Sequence, residues 1–155
     1  VSGYDTTDEG ETLDSDDLSD VSTSDNKRYT SDSTWAAASG FDDAEYIEFT
    51  FNPGVQAGST IQDVNIVNEY SLNSRATVVA RLETWSADTN SWSVVSLTSS
   101  SGTTDVTDTL NLFATINSVN AVNNFKVRFQ MYISSGTAKK SRHDLIRLGV
   151  KYLPP

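Results

Sequence analysis

The stretch FKVRFQMYI, residues 125–133, decides the fold class of this chain. Apolar side chains stand at every second position from Phe125 to Ile133, and Lys126, Arg128, Gln130 and Tyr132 stand between them. A strand repeats every two residues, so this alternation predicts a half-buried β-strand. One side of the strand is expected to face a core and the other to face water.

The same alternation recurs along the later two thirds of the chain. Further strands are predicted over residues 45–51, 61–70, 77–85, 91–97 and 144–153, with a weaker one over 106–116. Within residues 61–70 the alternation is interrupted near Asn65, which predicts a bulge there. Residues 52–54 and 86–90 have the composition of turns, and residues 98–105 that of a polar loop. No segment has the pattern of a long amphipathic helix.

These strands determine the expected architecture. Seven or eight strands separated by polar turns predict an all-β, antiparallel two-sheet β-sandwich, a jelly roll, with an immunoglobulin-like sandwich as the alternative. The chain has 155 residues, which is enough for one such domain. In the last strand, alternation places Ile146, Leu148, Val150 and Tyr152 inward and Arg147 and Lys151 outward.

Charge is distributed unevenly along the sequence. Residues 1–26 hold nine acids and no base, and residues 126–151 hold seven bases and one acid. We therefore divide the chain into an acidic arm, 1–26, which is extended or ordered by a cation or partner, and a sandwich domain, 27–155. An acidic start and a basic end are suited to head-to-tail contact with other protein subunits. The net charge of −10 argues against nucleic-acid binding.

The chain lacks residues that several classes of enzyme require. It has no cysteine and one histidine, His143. Neighbouring strand residues point to opposite faces, so His143 and Asp144 are not expected to form a catalytic pair, and no Gly-x-Ser-x-Gly motif is present. No apolar run is long enough to span a bilayer. We therefore expect neither an enzyme nor membrane insertion.

Acidic residues near strand ends suggest a structural calcium ion. Ca²⁺ prefers several oxygen ligands, and Asp42, Asp43 and Glu45 precede the first long strand while Asp144 precedes the last. If the two strands adjoin, these four residues form a candidate metal site. A solvated acidic loop is the alternative.

Aromatic and basic residues on outward strand positions form the candidate ligand-binding surface. Trp85 and Trp92 flank the predicted hairpin, where they can stack on sugar rings or simply pair across the strands. The full candidate set is Arg81, Trp85, Trp92, Arg128, Tyr132, Arg147 and Lys151. The alternative is a charged face that protects the sheets from aggregation.

The segments DNKRYTSD, EYIEFTF, ARLETWSADTNSWSVV, NNFKVRFQMYIS and HDLIRLGVKYL together resemble a known kind of domain. They are similar to the galactose-binding-like jelly-roll accessory modules of secreted or surface prokaryotic proteins and some phage structural proteins. The resemblance spans residues 27–153 and implies a non-catalytic module, often with structural calcium. We therefore expect an extracellular, cell-surface or virion-surface structural module that acts in adhesion or filament assembly. The alternative is a carbohydrate-binding module of a larger secreted protein.

Overall fold

The computed structural model describes residues 3–7, 29–31 and 34–155 of the chain. These residues form nine strands and one short helix. In chain order the elements are β1 (Gly3–Thr7), β2 (Tyr29–Thr30), β3 (Tyr46–Phe51), β4 (Thr60–Leu72), β5 (Thr77–Ser86), β6 (Ser91–Ser101), β7 (Val106–Asn111), α1 (Val119–Asn123), β8 (Phe125–Ser135) and β9 (Ser141–Leu153).

The strands form two antiparallel sheets. The five-stranded sheet has the order β1-β3-β8-β5-β6, and the four-stranded sheet has the order β2-β9-β4-β7. From β2 to β9 each connection crosses to the other sheet, except at the β5–β6 hairpin. Two sheets linked by such crossings are a jelly roll, so the predicted fold class is confirmed and the immunoglobulin-like alternative is not needed.

The hydrophobic core fills the space between the two sheets. Phe125, Val127, Phe129, Met131 and Ile133 of β8 all point into it, as the alternation predicted. Because both sheets contribute apolar side chains, burial of this surface supplies the main stabilisation of the fold.

Trp35 anchors the segment before β3 in this core. Its side chain is fully buried, its ring lies edge-on to Phe129 at 5.9 Å, and its Nε1–H donates to Ser141 Oγ at 3.0 Å. Burying an indole is favourable only if its N–H finds an acceptor, which Ser141 provides. Trp35 therefore has a structural role.

Two predicted boundaries were wrong. Residues 98–105 were expected to be a loop, but β6 continues through Ser101, which is the register partner of Thr77 on β5. The serine-rich sequence shows no apolar alternation, although the backbone of this strand is hydrogen-bonded to β5. The strand expected over 106–116 ends at Asn111, and the backbone N–H of Ile116 then donates to the Leu112 carbonyl at 2.8 Å in a turn.

The bulge positions also differ from the prediction. The β4–β9 register shifts between Ile61 and Asp63 and again between Glu69 and Tyr70, and not at Asn65. The second shift leaves Asp144 as an extra residue on β9, which interrupts alternation there. Leu145 and Ile146, which follow this extra residue, are both buried. Tyr152, which was expected to point inward, is 41% exposed near the end of β9.

The helix content is small. Within the described part of the chain, none of the helical structure is long and apolar enough to cross a bilayer. Helix α1 has five residues and begins after Ser118, whose Oγ accepts a hydrogen bond from the Ala121 N–H.

Candidate functional site

The outer face of the five-stranded sheet carries a dense group of aromatic and charged side chains. Register aligns them in rows across the sheet. Lys126 of β8 lies beside Trp85 of β5, which lies beside Trp92 of β6. We call this surface the outer face and define it by Tyr46, Glu48, Arg81, Glu83, Trp85, Trp92, Lys126, Arg128, Gln130 and Tyr132.

Arg128 is held between two aromatic rings at the centre of this surface. Its guanidinium lies 3.9 Å from the ring centroid of Tyr46 and 4.0 Å from that of Trp92. Its Nε donates to Glu48 Oε2 at 2.8 Å. A planar cation stacked on both sides and hydrogen-bonded in its plane has little freedom left, so the two rings are fixed relative to each other.

Glu48 organises the basic residues of the outer face. Although it stands on the outward side of β3, it is only 3% exposed. Its second oxygen, Oε1, accepts from Lys126 Nζ at 3.0 Å, so one carboxylate holds Lys126 and Arg128 on neighbouring β8. A carboxylate this well buried needs such partners, because its desolvation is otherwise costly.

Trp85 and Trp92 form a cross-strand pair at the end of the β5–β6 hairpin. They are direct register partners, and their ring centroids lie 5.5 Å apart with planes inclined by 53°. The prediction that they pair across the hairpin is confirmed. Both rings are half-buried and retain surface that solvent reaches, so pairing does not exclude contact with a ligand.

A second polar and aromatic group lies further along the same face. Arg81 donates to Gln130 Oε1 through Nε at 2.9 Å and through an Nη atom at 2.6 Å, and it pairs with Asp43 at 2.6 Å. The guanidinium also lies 4.4 Å from the centroid of Phe41, whose ring meets Tyr132 edge-on at 4.9 Å.

Gln130 is buried on this face and was expected to be exposed. Its Nε2 donates to the carbonyls of Asp42 and Glu45, each at 3.2 Å, so the segment before β3 folds over it. This contact between distant parts of the chain leaves no trace in local alternation.

The predicted ligand-binding residues separate into two groups. Arg81, Trp85, Trp92, Arg128 and Tyr132 all lie on the outer face. Arg147 and Lys151 do not: they lie on β9 of the four-stranded sheet, beside Val67 and Asp63 of β4. The prediction that all seven residues share one surface was therefore wrong. Alternation gives the side of a strand to which a residue points, but not the sheet to which the strand belongs.

Sequence reasoning missed the contribution of β3 and of the segment before it to this surface. Tyr46 and Glu48 are essential to the arrangement around Arg128, and Phe41 to that around Arg81. The outward position of Glu48 was visible in the alternation of residues 45–51. The pairing of β3 with β8, which brings it beside Arg128, was not.

The structure does not bring the four predicted metal ligands together. Asp42, Asp43 and Glu45 precede β3 at the five-stranded sheet, whereas Asp144 is buried on β9 of the other sheet. In the described ranges no three acidic, histidine or cysteine side chains are grouped closely enough to hold a metal ion. Asp43 instead pairs with Arg81. Bound calcium stays a prediction without a site among these residues.

His143 lies in the core. It packs against Phe129 at 4.6 Å and Phe49 at 6.3 Å between ring centroids, and a ring nitrogen lies 2.9 Å from Ser141 Oγ. Complete burial lowers its pKa to about 3, because the charged ring would lose its hydration. It is therefore neutral at physiological pH and has a packing role.

A cavity of about 220 Å³ adjoins the end of the outer face. Thr50 and Lys126 belong both to its lining and to the row that contains the two paired tryptophans. Asn52, Asn123 and Asn124 line the rest of its polar wall. The outer face thus continues into a recess that offers amide groups.

Comparison with known proteins identifies the fold. No protein-family model matches the chain, and no curated protein matches its sequence. A solved structure of CBM28, a carbohydrate-binding module specific for non-crystalline cellulose, is similar over 99% of this chain and 89% of its own, with 9% identity and a TM-score of 0.53. A CBM4 structure gives 16% identity, 96% and 95% coverage and a TM-score of 0.49. The chain therefore shares the jelly-roll β-sandwich fold of CBM28.

Proposed function

We propose that this chain is a non-catalytic carbohydrate-binding module that binds a glycan chain along the outer face. The observation that carries the proposal is the arrangement around Arg128, which fixes the partly exposed rings of Tyr46 and Trp92 beside ordered polar groups. A pyranose has an apolar face and a polar rim, and this surface offers a partner to both.

Preorganisation strengthens the argument. Glu48, Arg128 and Gln130 are already held by hydrogen bonds within the protein. A ligand would therefore not have to order them, and the conformational entropy cost of binding would be lower. The rows of side chains run across several strands, so an extended oligosaccharide is a better fit than a compact ligand.

Fold similarity supports the same proposal and suggests the first ligand to test. CBM28 is described as specific for non-crystalline cellulose and has this fold over nearly the whole chain. We therefore choose an amorphous β-glucan as the first probe. A module of this kind would act outside the cell or at a cell surface, where insoluble polysaccharides occur.

The described acidic groups support binding rather than catalysis. On the outer face, Glu48 forms ion pairs with Lys126 and Arg128. Glu83 Oε1 lies 3.6 Å from Arg81 Nε. Both carboxylates are therefore held by contacts with basic side chains of the same surface. The other candidate for proton transfer, His143, is enclosed in the core.

Head-to-tail assembly, the first of the two expectations, has less support. It was based on the acidic arm of one subunit binding the basic end of another. Strand β1, which belongs to that arm, instead pairs with β3 of its own chain. All residues of the arm other than Gly3–Thr7 lie outside the described residues. A structure of infectious bursal disease virus gives a TM-score of only 0.28 and adds no argument for virion assembly.

The test is binding of the purified chain to amorphous cellulose and to soluble cello-oligosaccharides. We expect Trp92→Ala to weaken binding by about tenfold, because it removes both a stacking surface and one wall of the Arg128 site. Tyr152→Ala is the matched control, since it removes an aromatic ring that is 41% exposed on the other sheet. Equal binding by Trp92→Ala and the unmodified chain would refute the proposal.

A further inference from the structure

A second cavity, of about 310 Å³, lies at the end of the β5–β6 hairpin. It lies between the inner side of the hairpin and the turn that follows β7, with Thr84, Ser86 and Ile116 buried at its base and its other lining residues exposed. Ala114 and Ile116 provide its apolar lining. Its remaining lining residues all carry hydroxyl groups: Thr84, Ser86, Thr89, Ser91, Ser93 and Thr115.

The cavity exists because small polar residues occupy inner positions of the hairpin. Ser86 is the register partner of Ser91, and Thr84 is the partner of Ser93. Elsewhere in β5 the inner positions are apolar, as at Leu82. Because serine and threonine are too small to meet the opposite wall, the space between the sheets stays open at this end.

The hairpin loop beside the cavity is tied to the segment that follows the β7 turn. In the hairpin loop, Asp88 accepts from Ser118 Oγ at 2.5 Å and from Asn120 Nδ2 at 2.9 Å, which ties the loop to the start of α1. These two bonds lower the pKa of Asp88. The cavity is therefore framed by ordered residues.

Ser86 gives an independent indication of a ligand. It is only 7% exposed, yet its Oγ has no hydrogen-bond partner among the described residues. A buried hydroxyl without a partner is costly and uncommon, and one that lines a cavity is satisfied by whatever fills that cavity.

We propose that this cavity is a binding site for a small neutral polyol of about the size of one sugar ring. Hydroxyl groups both donate and accept, which suits a ligand whose rim alternates donors and acceptors. The lining holds no charged group, so it offers an ionic ligand no partner of opposite charge. The volume lies near the lower end of the range for ligand pockets, which favours one ring over a chain.

This site goes beyond the proposed function and does not depend on it. The paired rings of Trp85 and Trp92 are on the outer side of the hairpin, and the hydroxyl groups of Ser86 and Ser93 are on its inner side. A sugar in the cavity would not stack on either tryptophan. The two sites can therefore be observed separately.

The test is a nuclear magnetic resonance titration of the full ¹⁵N-labelled chain with D-glucose at tens of millimolar. We expect saturable shifts of the Ser86, Thr115 and Ile116 amides, with Trp85 and Trp92 indole signals moving less. Ser93→Leu should fill the cavity and abolish the shifts. Ser101→Leu, the same change on the same strand but outside the cavity lining, should leave them intact.

Ser86→Ala is a second test variant. It removes only one hydroxyl group, so a loss of binding is not mistaken for a folding defect. We expect it to weaken glucose binding about fivefold, the loss that corresponds to one hydrogen bond. Absence of saturable shifts at the cavity, or equal shifts in Ser93→Leu, would overturn the proposal. A higher melting temperature in Ser86→Ala together with no glucose response would also overturn it, since Ser86 would then be only a buried unpaired hydroxyl. None of these outcomes bears on oligosaccharide binding at the outer face.

Discussion

Lowering the pH from about 7.5 to about 5.5 is expected to destabilise the fold through one residue, His143. Its ring is fully buried between Phe49 and Phe129 and beside Ser141, and burial lowers its pKa to about 3. In the unfolded chain the ring takes up its proton near the ordinary histidine pKa of 6.5. The unfolded state therefore binds more protons than the folded state below that pH, and the free energy of unfolding falls as the pH falls.

The size of the effect follows from the two pKa values. Each pH unit below the unfolded pKa removes about 1.4 kcal/mol until the folded pKa is reached. The interval from about pH 7.5 to about pH 5.5 is centred on the histidine pKa of the unfolded chain. The free energy of unfolding is therefore expected to fall by about 1.4 kcal/mol in total across it. His143 is the only histidine in the chain, so no other imidazole contributes.

Urea unfolding monitored by tryptophan fluorescence at both pH values measures this difference. His143→Gln is the control, because an amide can still bond to Ser141 but does not titrate. Asp108 contributes with the opposite sign, since burial raises its pKa, but it is present in both proteins. An unmodified chain that loses less than about 0.5 kcal/mol, or a variant with the same loss, would refute the burial of a neutral His143.

Two further substitutions test the packing around the core and the outer face. Trp35→Phe should lower the free energy of unfolding by about 3 kcal/mol, because it leaves a void and removes the hydrogen bond to Ser141; a loss below about 1 kcal/mol in urea unfolding would contradict this packing. Glu48→Gln should cost about 2 kcal/mol, because Lys126 and Arg128 lose their shared carboxylate, and this loss should shrink little in high salt; an unchanged urea midpoint would show that the pairs contribute nothing.

The sequence was sufficient to predict the sandwich because its strands alternate strongly. In β8 and β5 almost every second side chain is apolar, so period-two burial is visible without any knowledge of neighbours. The end of β6 was missed for the opposite reason. Ser99 to Ser101 carry no apolar pattern, and their strand conformation depends on backbone bonding to β5.

The candidate site was predicted only in part, because strand order is a property of the folded chain. Alternation placed Trp85 and Arg128 outward, and both lie on the outer face. It placed Arg147 outward too, but β9 belongs to the other sheet. The contact between Glu48 and Arg128 joins residues that lie 80 positions apart in sequence, and no local pattern indicates it.

The central claim is that a glycan binds along the outer face, and the three tryptophan indole signals test it within one molecule. Trp85 and Trp92 lie on that face, and Trp35 is buried in the core with its N–H bonded to Ser141. During titration of the labelled chain with a soluble cello-oligosaccharide, we predict saturable shifts of the first two indole N–H signals and a stationary Trp35 signal. No shift at Trp85 or Trp92, at concentrations where amorphous cellulose is bound, would contradict the account.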